Sequence, residues 1–472
     1  MPKPLTKELR DRLRGVVGDA WVIDDPDRLL AYESDGLTAY RMTPRAVVLP
    51  RDTDEVSRVL GILSQEAVPM VPRGAGTGLS GGALADGDAV VVGTARMTDM
   101  LKLDPANRLA RVQPGMINAD LTTAAEPFGL YYAPDPSSQS ACTLGGNVAE
   151  NSGGPHCLKY GVTSRYVTGL TVVTYDGKIV EMGGFGRETG GYDLLGLFVG
   201  SEGCFGIATE IEVRLLPKPE GVRTLLAIFD RLGDAGRAVT EIMAEGLLPA
   251  ALEIIDGPTI RAVEASIFAA GFPTDAEAAL VIEFDGIEAG LASDVERAVV
   301  QCRAAGAREV RIADSAEERL ALWRGRKKAF GAMGQIGRDL MVQDGTVPRS
   351  KLTEVLGRIS EIGVRHDLTI ANVFHAGDGN LHPNLIFDRR DSEELARVDL
   401  ASTEIMAVCV EAGGTITGEH GVGLDKRRYM SLVHSPDELE AMRHIKAVFD
   451  PRGRMNPGKV LPDPSDSMGA GA

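Results

Sequence analysis

A glycine-dense segment directly after a predicted strand places the strongest constraint on how this chain folds. Five glycines fall within residues 72–82, PRGAGTGLSGG, and the apolar run 68–71 before them is typical of a strand. Glycine lets backbone N–H groups converge on one point and approach a phosphate closely. Residues 76–81 also spell GxGxxG, but a Rossmann turn requires a helix that begins on the glycines. Residues 83–88 are too few for that helix and no GK[ST] follows, so we exclude both a Rossmann site and a P-loop.

Two further segments alternate glycine with small polar residues. The second spans residues 134–154, PDPSSQSACTLGGNVAENSGG, and the third spans residues 200–207, GSEGCFGI. One such loop in isolation can be a simple flexible turn. Three separated loops indicate a single long ligand contacted at several points, and a dinucleotide has the required length.

Composition limits the classes of function. A length of 472 residues predicts two or three domains, and the net charge of -17 argues against a nucleic-acid partner. The same charge repels an anionic substrate at long range, so such a substrate needs a local positive site. The five scattered cysteines include no CxxC pair, so the chain is not expected to ligate an iron–sulfur cluster of its own. No run of 18 apolar residues occurs, and we expect a cytoplasmic protein.

Hydrophobic periodicity predicts two domains of mixed helix and sheet. In the first, strands are expected at 45–49, 68–71, 89–92, 109–113, 170–174 and 207–216, with a helix at 56–64 preceded by the capping-box pair Asp52 and Glu55. Two prolines within 216–220 mark a boundary. Beyond it, strands at 225–229, 250–255 and 279–284 alternate with helices at 235–245 and 259–270, which indicates an antiparallel sheet. The expected domains are 1–219 and 220–461, followed by a flexible tail at 462–472.

Two histidines stand at facing ends of a predicted hairpin. Strands at 370–375 and 381–387 are joined by the turn-rich residues 376–380, which brings His375 and His382 together. Glu419, in the glycine-framed turn 417–423, offers a carboxylate as a third ligand. Two histidines and one carboxylate suit a catalytic divalent metal such as Zn, with Mn or Fe as alternatives. Asp378 is a rival ligand, although a residue between two glycines is more typical of a turn.

Eight motifs resemble one family of flavoproteins. PRGAGTGLSGG, YYAPDPSSQSACTLGGNVAENSGG, HCLKYG and GSEGCFGI resemble the FAD-binding domain of the vanillyl-alcohol-oxidase-like proteins, while WRGRKKAF, DGTVPR with NVFHAGDGNLHP, and TGEHGVG resemble the group of the glycolate oxidase FAD subunit and the D-lactate and D-2-hydroxyglutarate dehydrogenases. The resemblance covers residues 32–461. It implies an α+β fold, with a PCMH-type FAD-binding domain plus a ferredoxin-like α+β FAD-linked oxidase C-terminal (cap) domain.

The resemblance also implies which residues hold FAD. They lie in the three glycine-rich segments and in the C-terminal segment, which is expected to return to the flavin: Pro72, Arg73, Gly74, Ala75, Gly76, Thr77, Gly78, Leu79, Ser80, Pro134, Asp135, Ser138, Gly145, Gly146, Asn147, Gly203, Ile207 and Asn456.

On the substrate side, the resemblance implies oxidation of a 2-hydroxy acid to the 2-oxo acid. The matching metal positions are His375, His382 and Glu419, and a 2-hydroxy acid can chelate a metal held there. His420 is the candidate base for the hydroxyl proton, with a second ligand role as its alternative. Arg326 is expected to supply, with the metal, the local positive charge for the substrate carboxylate, because its planar fork can donate two parallel hydrogen bonds. The basic run around it is equally typical of a solvated helix face. Asn384 shares a strand face with His382 and is a further candidate for contact with the substrate or the metal.

Residues 340–343 set this chain apart from some relatives. Those relatives carry an aromatic residue or Lys shortly before the DGT motif, where this chain has Leu-Met-Val-Gln. The difference favours a short acid such as glycolate or D-lactate over D-2-hydroxyglutarate. Two other classes stay open: a metal-dependent hydrolase, and an FAD-binding electron-transfer subunit that is not catalytic.

Reduced flavin must pass its electrons on. The expected acceptor is a separate iron–sulfur subunit, a quinone or an electron-transfer flavoprotein. Peripheral association with the inner membrane through a partner, and a homodimer, are further expectations.

We predict that the FAD is non-covalent. Some relatives tether FAD through histidine, but no histidine precedes His156, and we expect Cys142 and Cys157 to be structural. Trichloroacetic acid precipitation should therefore leave a colourless pellet and a yellow supernatant. A pellet that stays yellow after repeated acid washing would show a covalent bond.

Overall fold

The polypeptide crosses four times between two compact units. The computed structural model describes residues 3–184 and 190–463. The first unit comprises Met1–Gly153, Val162–Lys218 and Glu419–Ala472, and the second comprises Gly154–Gly161 and Pro219–Gly418. The crossing after Lys218 lies next to the expected boundary at 219. Residues 419–461, which the expected boundaries assign to the second domain, group with the first unit; of the expected tail, 464–472 lie outside the described residues.

Helices occur in both units and are numbered along the chain. They are α1 (Lys7–Val17), α2 (Pro26–Leu29), α3 (Thr53–Gln65), α4 (Asn118–Ala125), α5 (Leu144–Glu150), α6 (Cys157–Tyr160), α7 (Leu194–Phe198), α8 (Leu232–Ala244), α9 (Gly257–Glu264), α10 (Glu288–Ala304), α11 (Ala316–Ala332), α12 (Leu352–Arg365), α13 (Ser392–Glu411), α14 (Met430–Val433) and α15 (Pro436–Phe449). Within the described ranges, no helix is both long enough and apolar enough to cross a membrane.

The described residues of the first unit form three sheets. Its strands are β1 (Val22–Ile23), β2 (Ala46–Val48), β3 (Met70–Arg73), β4 (Val90–Gly93), β5 (Met100–Asp104), β6 (Leu109–Val112), β7 (Leu130–Tyr131), β8 (Val167–Val173), β9 (Ile179–Gly183), β10 (Ile207–Arg214) and β11 (Leu216–Pro217). The strand orders are β1-β2-β4-β3, β5-β6-β10-β8-β9 and β11-β7. Strands β2, β4 and β3 are parallel, and α3 makes the crossover from β2 to β3.

Helix α3 forms where its apolar residues recur at helical spacing. Val56, Val59, Leu60 and Leu63 lie on one face and are buried in the core. Asp52 caps the helix by accepting the N–H of Glu55 at 2.9 Å. The Glu55 carboxylate accepts the N–H of Arg51 at 2.9 Å. The expected capping box is therefore only half formed, because the Glu55 side chain accepts the N–H of Arg51 and not that of the cap residue Asp52.

The glycine-rich segment 72–82 leads from β3 to the strand β4 through turns. No helix forms between β3 and β4, where every residue is described. The exclusion of a Rossmann site is confirmed, since that site needs a helix opening on its glycines.

The second unit is built on one antiparallel sheet. Its strands are β12 (Gly221–Phe229), β13 (Ala251–Asp256), β14 (Ala278–Gly286), β15 (Glu309–Ile312), β16 (Asp339–Val342), β17 (Thr369–His375) and β18 (Pro383–Phe387), in the order β15-β12-β14-β13-β17-β18-β16. Each neighbouring pair is antiparallel, which confirms the sequence prediction.

Predicted boundaries in this unit differ from the observed ones by up to about six residues, and two of the differences have a local physical cause. Helix α9 ends at Glu264 and not at residue 270, because the Glu264 carboxylate accepts the N–H groups of Ala270 at 2.8 Å and Phe272 at 3.0 Å and closes a turn. Strand β18 begins at Pro383 and not at residue 381, because His375 and Asn380 exchange backbone hydrogen bonds that prolong the turn.

Asp256 fastens α9 to the strand that carries His375, and we predict that its loss costs more than the loss of an ordinary cap. One oxygen caps α9 by accepting the N–H of Thr259, and the other accepts both N–H groups of Asn372, at 2.7 and 2.8 Å. Asp256→Ala leaves buried donors unpaired, so the free energy of unfolding should fall by about 3 kcal/mol in urea titrations.

The matched control is Asp391→Ala. Asp391 caps α13 in the same way, but it is exposed and holds no second strand. Its removal should cost about 1 kcal/mol. Equal losses for the two variants would contradict the role of Asp256 as a link between elements.

Candidate flavin and substrate sites

The three glycine-rich segments meet within the first unit. A Cβ atom on Gly74 would collide with Oγ1 of Thr143, in the second segment. A Cβ atom on Gly203, in the third segment, would lie 3.0 Å from Cγ of Pro72. Side chains larger than hydrogen would push these segments apart. The first segment therefore packs against both the second and the third, as the sequence predicted for these separated loops.

Arg73 stiffens the first of these segments. Its guanidinium group is buried and donates to the carbonyls of Ser34, at 2.8 Å, and Ala83, at 3.5 Å. Burial lowers the pKa of Arg73, and the charge of Asp35 partly opposes that effect. The bonds to backbone carbonyls show that Arg73 shapes the loop as well as carrying charge.

In the second segment, the residues predicted to contact FAD surround helix α5. Thr143 caps this helix, and Gly145, Gly146 and Asn147 form its first turn. The Asn147 amide is buried and accepts from Nδ2 of Asn118 at 3.0 Å. Asn118 also donates to the carbonyl of Pro134 at 3.1 Å.

Asn118 was not predicted from the sequence. It connects residues 134 and 147 of the second segment, but it lies upstream of the glycines in α4, where an ordinary helical pattern conceals it. Asp135 and Ser138 lie between these two residues, and the Ser138 carbonyl accepts the N–H groups of Ala141 and Cys142.

Asn456 joins the first and third segments. Its Nδ2 donates to the carbonyls of Gly82, at 2.9 Å, and Glu202, at 2.7 Å, while its backbone N–H donates to Met70. The C-terminal segment thus returns to the glycine-rich walls of the first unit. Ile207 begins β10, and its side chain lies in the apolar core. Contacts of Asn456 and Ile207 with a flavin stay predictions.

His375 and His382 lie together at the end of the β17–β18 hairpin in the second unit. Their rings meet edge to face with centroids 5.1 Å apart, and each offers a ring nitrogen within 4.8 Å of the other. Both side chains are buried. Asp378, in the connecting turn, accepts the N–H of Asn380 at 3.3 Å, which is the contact of a turn former.

Each imidazole has an acceptor beside its Nδ1 atom. Nδ1 of His375 lies 2.9 and 3.0 Å from the carboxylate oxygens of Glu253. Nδ1 of His382 lies 3.3 Å from the carbonyl of Gln343 and 3.6 Å from Oδ1 of Asp344. Metal-binding histidines in proteins commonly donate their second N–H in this way, which leaves the other nitrogen with a lone pair. The two residues therefore fit a divalent metal bound through Nε2.

Arg326 shares the same carboxylate. From α11, its Nε lies 2.6 Å and its Nη2 2.5 Å from Oε2 of Glu253, and Nη2 lies 3.3 Å from Nδ1 of His375. The guanidinium group is buried beside the histidine pair. Glu253 engages one edge of the fork, and Nη1 lies on the other edge, where a second carboxylate can bind.

Glu253 and Asp344 were missed as functional residues in the sequence. Both are fully buried. A lone glutamate within the apolar strand ALEIID was the available signal for Glu253, which is the register partner of His375 across β13 and β17. Asp344 accepts from Oγ1 of Thr417, at 2.6 Å, and from the N–H of Gly418, at 3.0 Å; it begins the DGT motif, whose role the sequence left open.

Asn384 lies on β18, two residues after His382. Its Nδ2 donates to the carbonyls of Ala371, at 3.0 Å, and His382, at 2.7 Å. Its Oδ1 is buried and has no hydrogen-bond partner among the described residues. The amide thus keeps an acceptor for a donor such as a substrate hydroxyl.

Glu419 and His420 belong to the first unit, immediately after the last crossing. Oε1 of Glu419 lies 3.9 Å from Nε2 of His420, and both side chains are mostly buried. Their predicted roles as metal ligand and base stay predictions.

Comparison with known families gives two matches that cover most of the chain. Residues 218–460 match FAD linked oxidases, C-terminal domain, and residues 44–183 match the FAD binding domain. Similarity to solved structures supports the fold. The structure of p-cresol methylhydroxylase with substrate bound superposes with a TM-score of 0.81 at 16% identity and covers 98% of both chains. For alkyldihydroxyacetonephosphate synthase, the TM-score is 0.77 at 18% identity, over 97% of this chain and 85% of that one.

Curated relatives are similar along nearly their whole length. The chain is 47% identical to glycolate oxidase subunit GlcD of Escherichia coli K12, over 95% of this chain and 90% of that one. It is 42% identical to GlcD of Bacillus subtilis, over 97% of both chains, and 34% identical to D-lactate dehydrogenase of Anaerostipes hadrus, over 91% and 92%. These matches confirm the resemblance and the expected PCMH-type and FAD-linked oxidase folds. The chain belongs to the FAD linked oxidases and, within them, to the family of the glycolate oxidase GlcD subunits and D-lactate dehydrogenases.

Proposed function

We propose that this protein is an FAD-dependent dehydrogenase that oxidises a short 2-hydroxy acid, glycolate or D-lactate, to the 2-oxo acid. The observation that carries the proposal is the buried group of Arg326, Glu253 and His375, with His382 beside it. It combines an anion-binding guanidinium group with two imidazoles suited to a metal. The names of the relatives, glycolate oxidase subunit and D-lactate dehydrogenase, support the same substrate class.

The flavin end of the proposed site consists of the three glycine-rich segments. The FAD binding domain family covers residues 44–183 and therefore two of the three. Backbone N–H groups of residues 73–80 are suited to the pyrophosphate, because closely spaced glycines let them point toward one anion. When bound, FAD accepts the C2 hydride of the substrate.

Three residues are proposed to hold a divalent metal: His375, His382 and Glu419. The first two present the partnered imidazoles described above. Glu419 directly follows Gly418, whose N–H is held by Asp344, and consecutive Cα atoms are only about 3.8 Å apart. A metal bound there would lower the pKa of the substrate hydroxyl group, and Zn is the first candidate, with Mn or Fe as alternatives.

The remaining roles fall to side chains of this chain. Arg326 binds the substrate carboxylate through the edge of its fork that Glu253 does not engage. His420 takes the hydroxyl proton as the C2 hydrogen leaves with its electron pair. Asn384 accepts a hydrogen bond through Oδ1 and so helps to orient the substrate.

A short substrate suits the strand beside Asn384. Val342 of β16 is the register partner of Asn384 and is buried, Leu340 packs against the apolar core, and Gln343 donates to Ser402 at 3.1 Å. This stretch offers no cation for a second carboxylate. D-2-hydroxyglutarate and other longer acids remain the alternative substrates, and the hydrolase alternative gains no support from two FAD-linked family matches.

Electron transfer out of the protein is proposed to require a partner. Burial raises the pKa of Cys204 to about 11 and those of Cys302 and Cys409 to about 12, so these thiols are poor redox ligands. The GlcD relatives are named as subunits, which supports a partner protein. An iron–sulfur subunit, a quinone and an electron-transfer flavoprotein are the candidate acceptors. The homodimer, the peripheral association with the inner membrane and the cytoplasmic location stay predictions.

The first test is reduction of the flavin by substrate. Under anaerobic conditions, glycolate or D-lactate should bleach the flavin absorbance of the metal-loaded protein, while L-lactate serves as the stereochemical comparison. No bleaching by any short 2-hydroxy acid would refute the proposal. Unchanged bleaching in His420→Ala would refute the role of His420 and leave the activity to another base.

A second test concerns the carboxylate behind His375. Glu253→Gln replaces an anionic acceptor with a neutral amide, so His375 is less firmly oriented and less basic. Metal affinity, measured by chelator competition and elemental analysis, should fall by about 10- to 100-fold.

Glu283→Gln is the matched control. Glu283 is a buried carboxylate on the neighbouring strand β14, where it contacts Trp323 at 2.5 Å and Thr224 at 2.6 Å. The Glu283→Gln protein should have a lower free energy of unfolding, but its metal affinity should not fall by the same factor. An equal loss of metal in both variants would show that Glu253 acts only through folding.

A further inference from the structure

The loop that carries Glu419 and His420 is held by a buried carboxylate of the third glycine-rich segment. Oε1 of Glu202 accepts the N–H of Val422 at 2.7 Å, and Oε2 accepts the N–H of Gly423 at 2.6 Å. Both oxygens are thus committed to consecutive backbone donors. Bonds from backbone N–H to an ionised carboxylate are among the stronger hydrogen bonds in proteins.

The same loop is fastened to the first glycine-rich segment. The carbonyl of Ser80 accepts the N–H groups of Leu424, at 2.9 Å, and Asp425, at 3.0 Å. Oδ1 of Asp425 accepts the hydroxyl of Tyr40 at 2.9 Å. Residues 422–425 therefore rest on two of the segments that form the flavin end of the proposed site.

A second carboxyl group, that of Glu150, lies beside this clamp. A Cβ atom on Gly421 would collide with Oε2 of Glu150 and lie 2.9 Å from Oε1 of Glu202. Burial raises the pKa of Glu150 well above its ordinary value, and the charge of Glu202 adds to the shift. Nζ of Lys426, which donates to the carbonyl of Gly421 at 3.2 Å, offsets part of the negative charge. Burial also raises the pKa of Glu202, but its bonds from the N–H groups of Val422 and Gly423 and the charge of Lys426 oppose that effect. The two N–H donors are therefore suited to an ionised Glu202.

We propose that Glu202 is a positioning residue: its carboxylate holds the backbone of residues 422–423 against the glycine-rich segments and thereby sets the positions of His420 and Glu419. The inference rests on the proposed function for the roles of those two side chains. Glu202 itself touches neither substrate nor metal in this scheme. It acts through two peptide groups.

The test uses Glu202→Gln in the FAD-loaded, metal-loaded protein. The amide keeps one acceptor but turns a donor toward a backbone donor, so one of the two bonds is lost. The rate constant for flavin reduction in anaerobic stopped flow should fall by about 100-fold, the order expected for a misplaced catalytic group. The substrate concentration at half saturation should change by less than about threefold, because Arg326 is untouched. FAD content should stay that of the wild type.

Amide hydrogen exchange provides a measurement that needs no turnover. Val422 and Gly423 should exchange faster in Glu202→Gln than in the wild type, with no change in the strands of the second unit. Glu210→Gln is the matched control, since Glu210 lies in the same unit and pairs with Arg111 at 2.7 Å. Glu210→Gln should change neither the rate constant for flavin reduction nor the exchange rates of the Val422 and Gly423 amides.

A second variant keeps the inference falsifiable if Glu202→Gln does not fold. Gly421→Ala places a methyl group between the carboxyl groups of Glu150 and Glu202 and should reproduce the slow reduction. Wild-type reduction in Gly421→Ala, or unchanged amide exchange in Glu202→Gln, would overturn the inference. If the wild type itself is never reduced by a 2-hydroxy acid, the proposed function fails, while the exchange data still decide whether Glu202 holds the loop.

Discussion

The carboxylate of Glu253 is the group on which the arrangement of Arg326 and His375 in the second unit depends. A fully buried anion is unfavourable unless it is paired, and breaking such a pair by removing one partner costs about 3–5 kcal/mol. Arg326 supplies the pairing charge, and the second oxygen remains available to His375. The arginine therefore stabilises Glu253 in addition to its proposed role in binding a substrate carboxylate. A loss of activity on replacing Arg326 would combine both effects.

In the first unit, the main requirement is to pair buried backbone groups. The three glycine-rich segments consist largely of loops, and loops alone would leave many buried peptide groups without hydrogen bonds. Buried asparagine amides pair with several of these groups. Asn118 and Asn147 connect two parts of the second segment, and Asn456 joins the first segment to the third. Glycine lets the three segments pack closely against one another, and the buried side chains hold them in one conformation. Rigid walls of this kind suit a cofactor that must stay bound through many catalytic cycles.

Local patterns carried most of what could be predicted from the sequence. The apolar periodicity of α3, the alternating elements of the second unit and the hairpin that joins His375 to His382 all depend on neighbouring residues. The residues that were missed depend on distant ones. Arg326 lies 73 positions from Glu253, and Val422 lies 220 positions from Glu202, so no spacing rule links them. The return of the last segment to the flavin was expected, but no spacing rule marks residue 419 as the point of return, because long-range hydrogen bonds and core packing group residues 419–461 with the first unit.

The return of the chain to the first unit also constrains the order in which the protein can be made. Met455 is fully buried in the same core as Met70, and the two residues form a parallel bridge. A ribosome must therefore complete the whole second unit before the first can close its core. Until then the nascent first unit exposes apolar surface, and domains that must wait in this way are prone to aggregate. A fragment that ends at Lys218 lacks the segment that contains Met455 and Asn456, so it should not be able to substitute for the intact first unit.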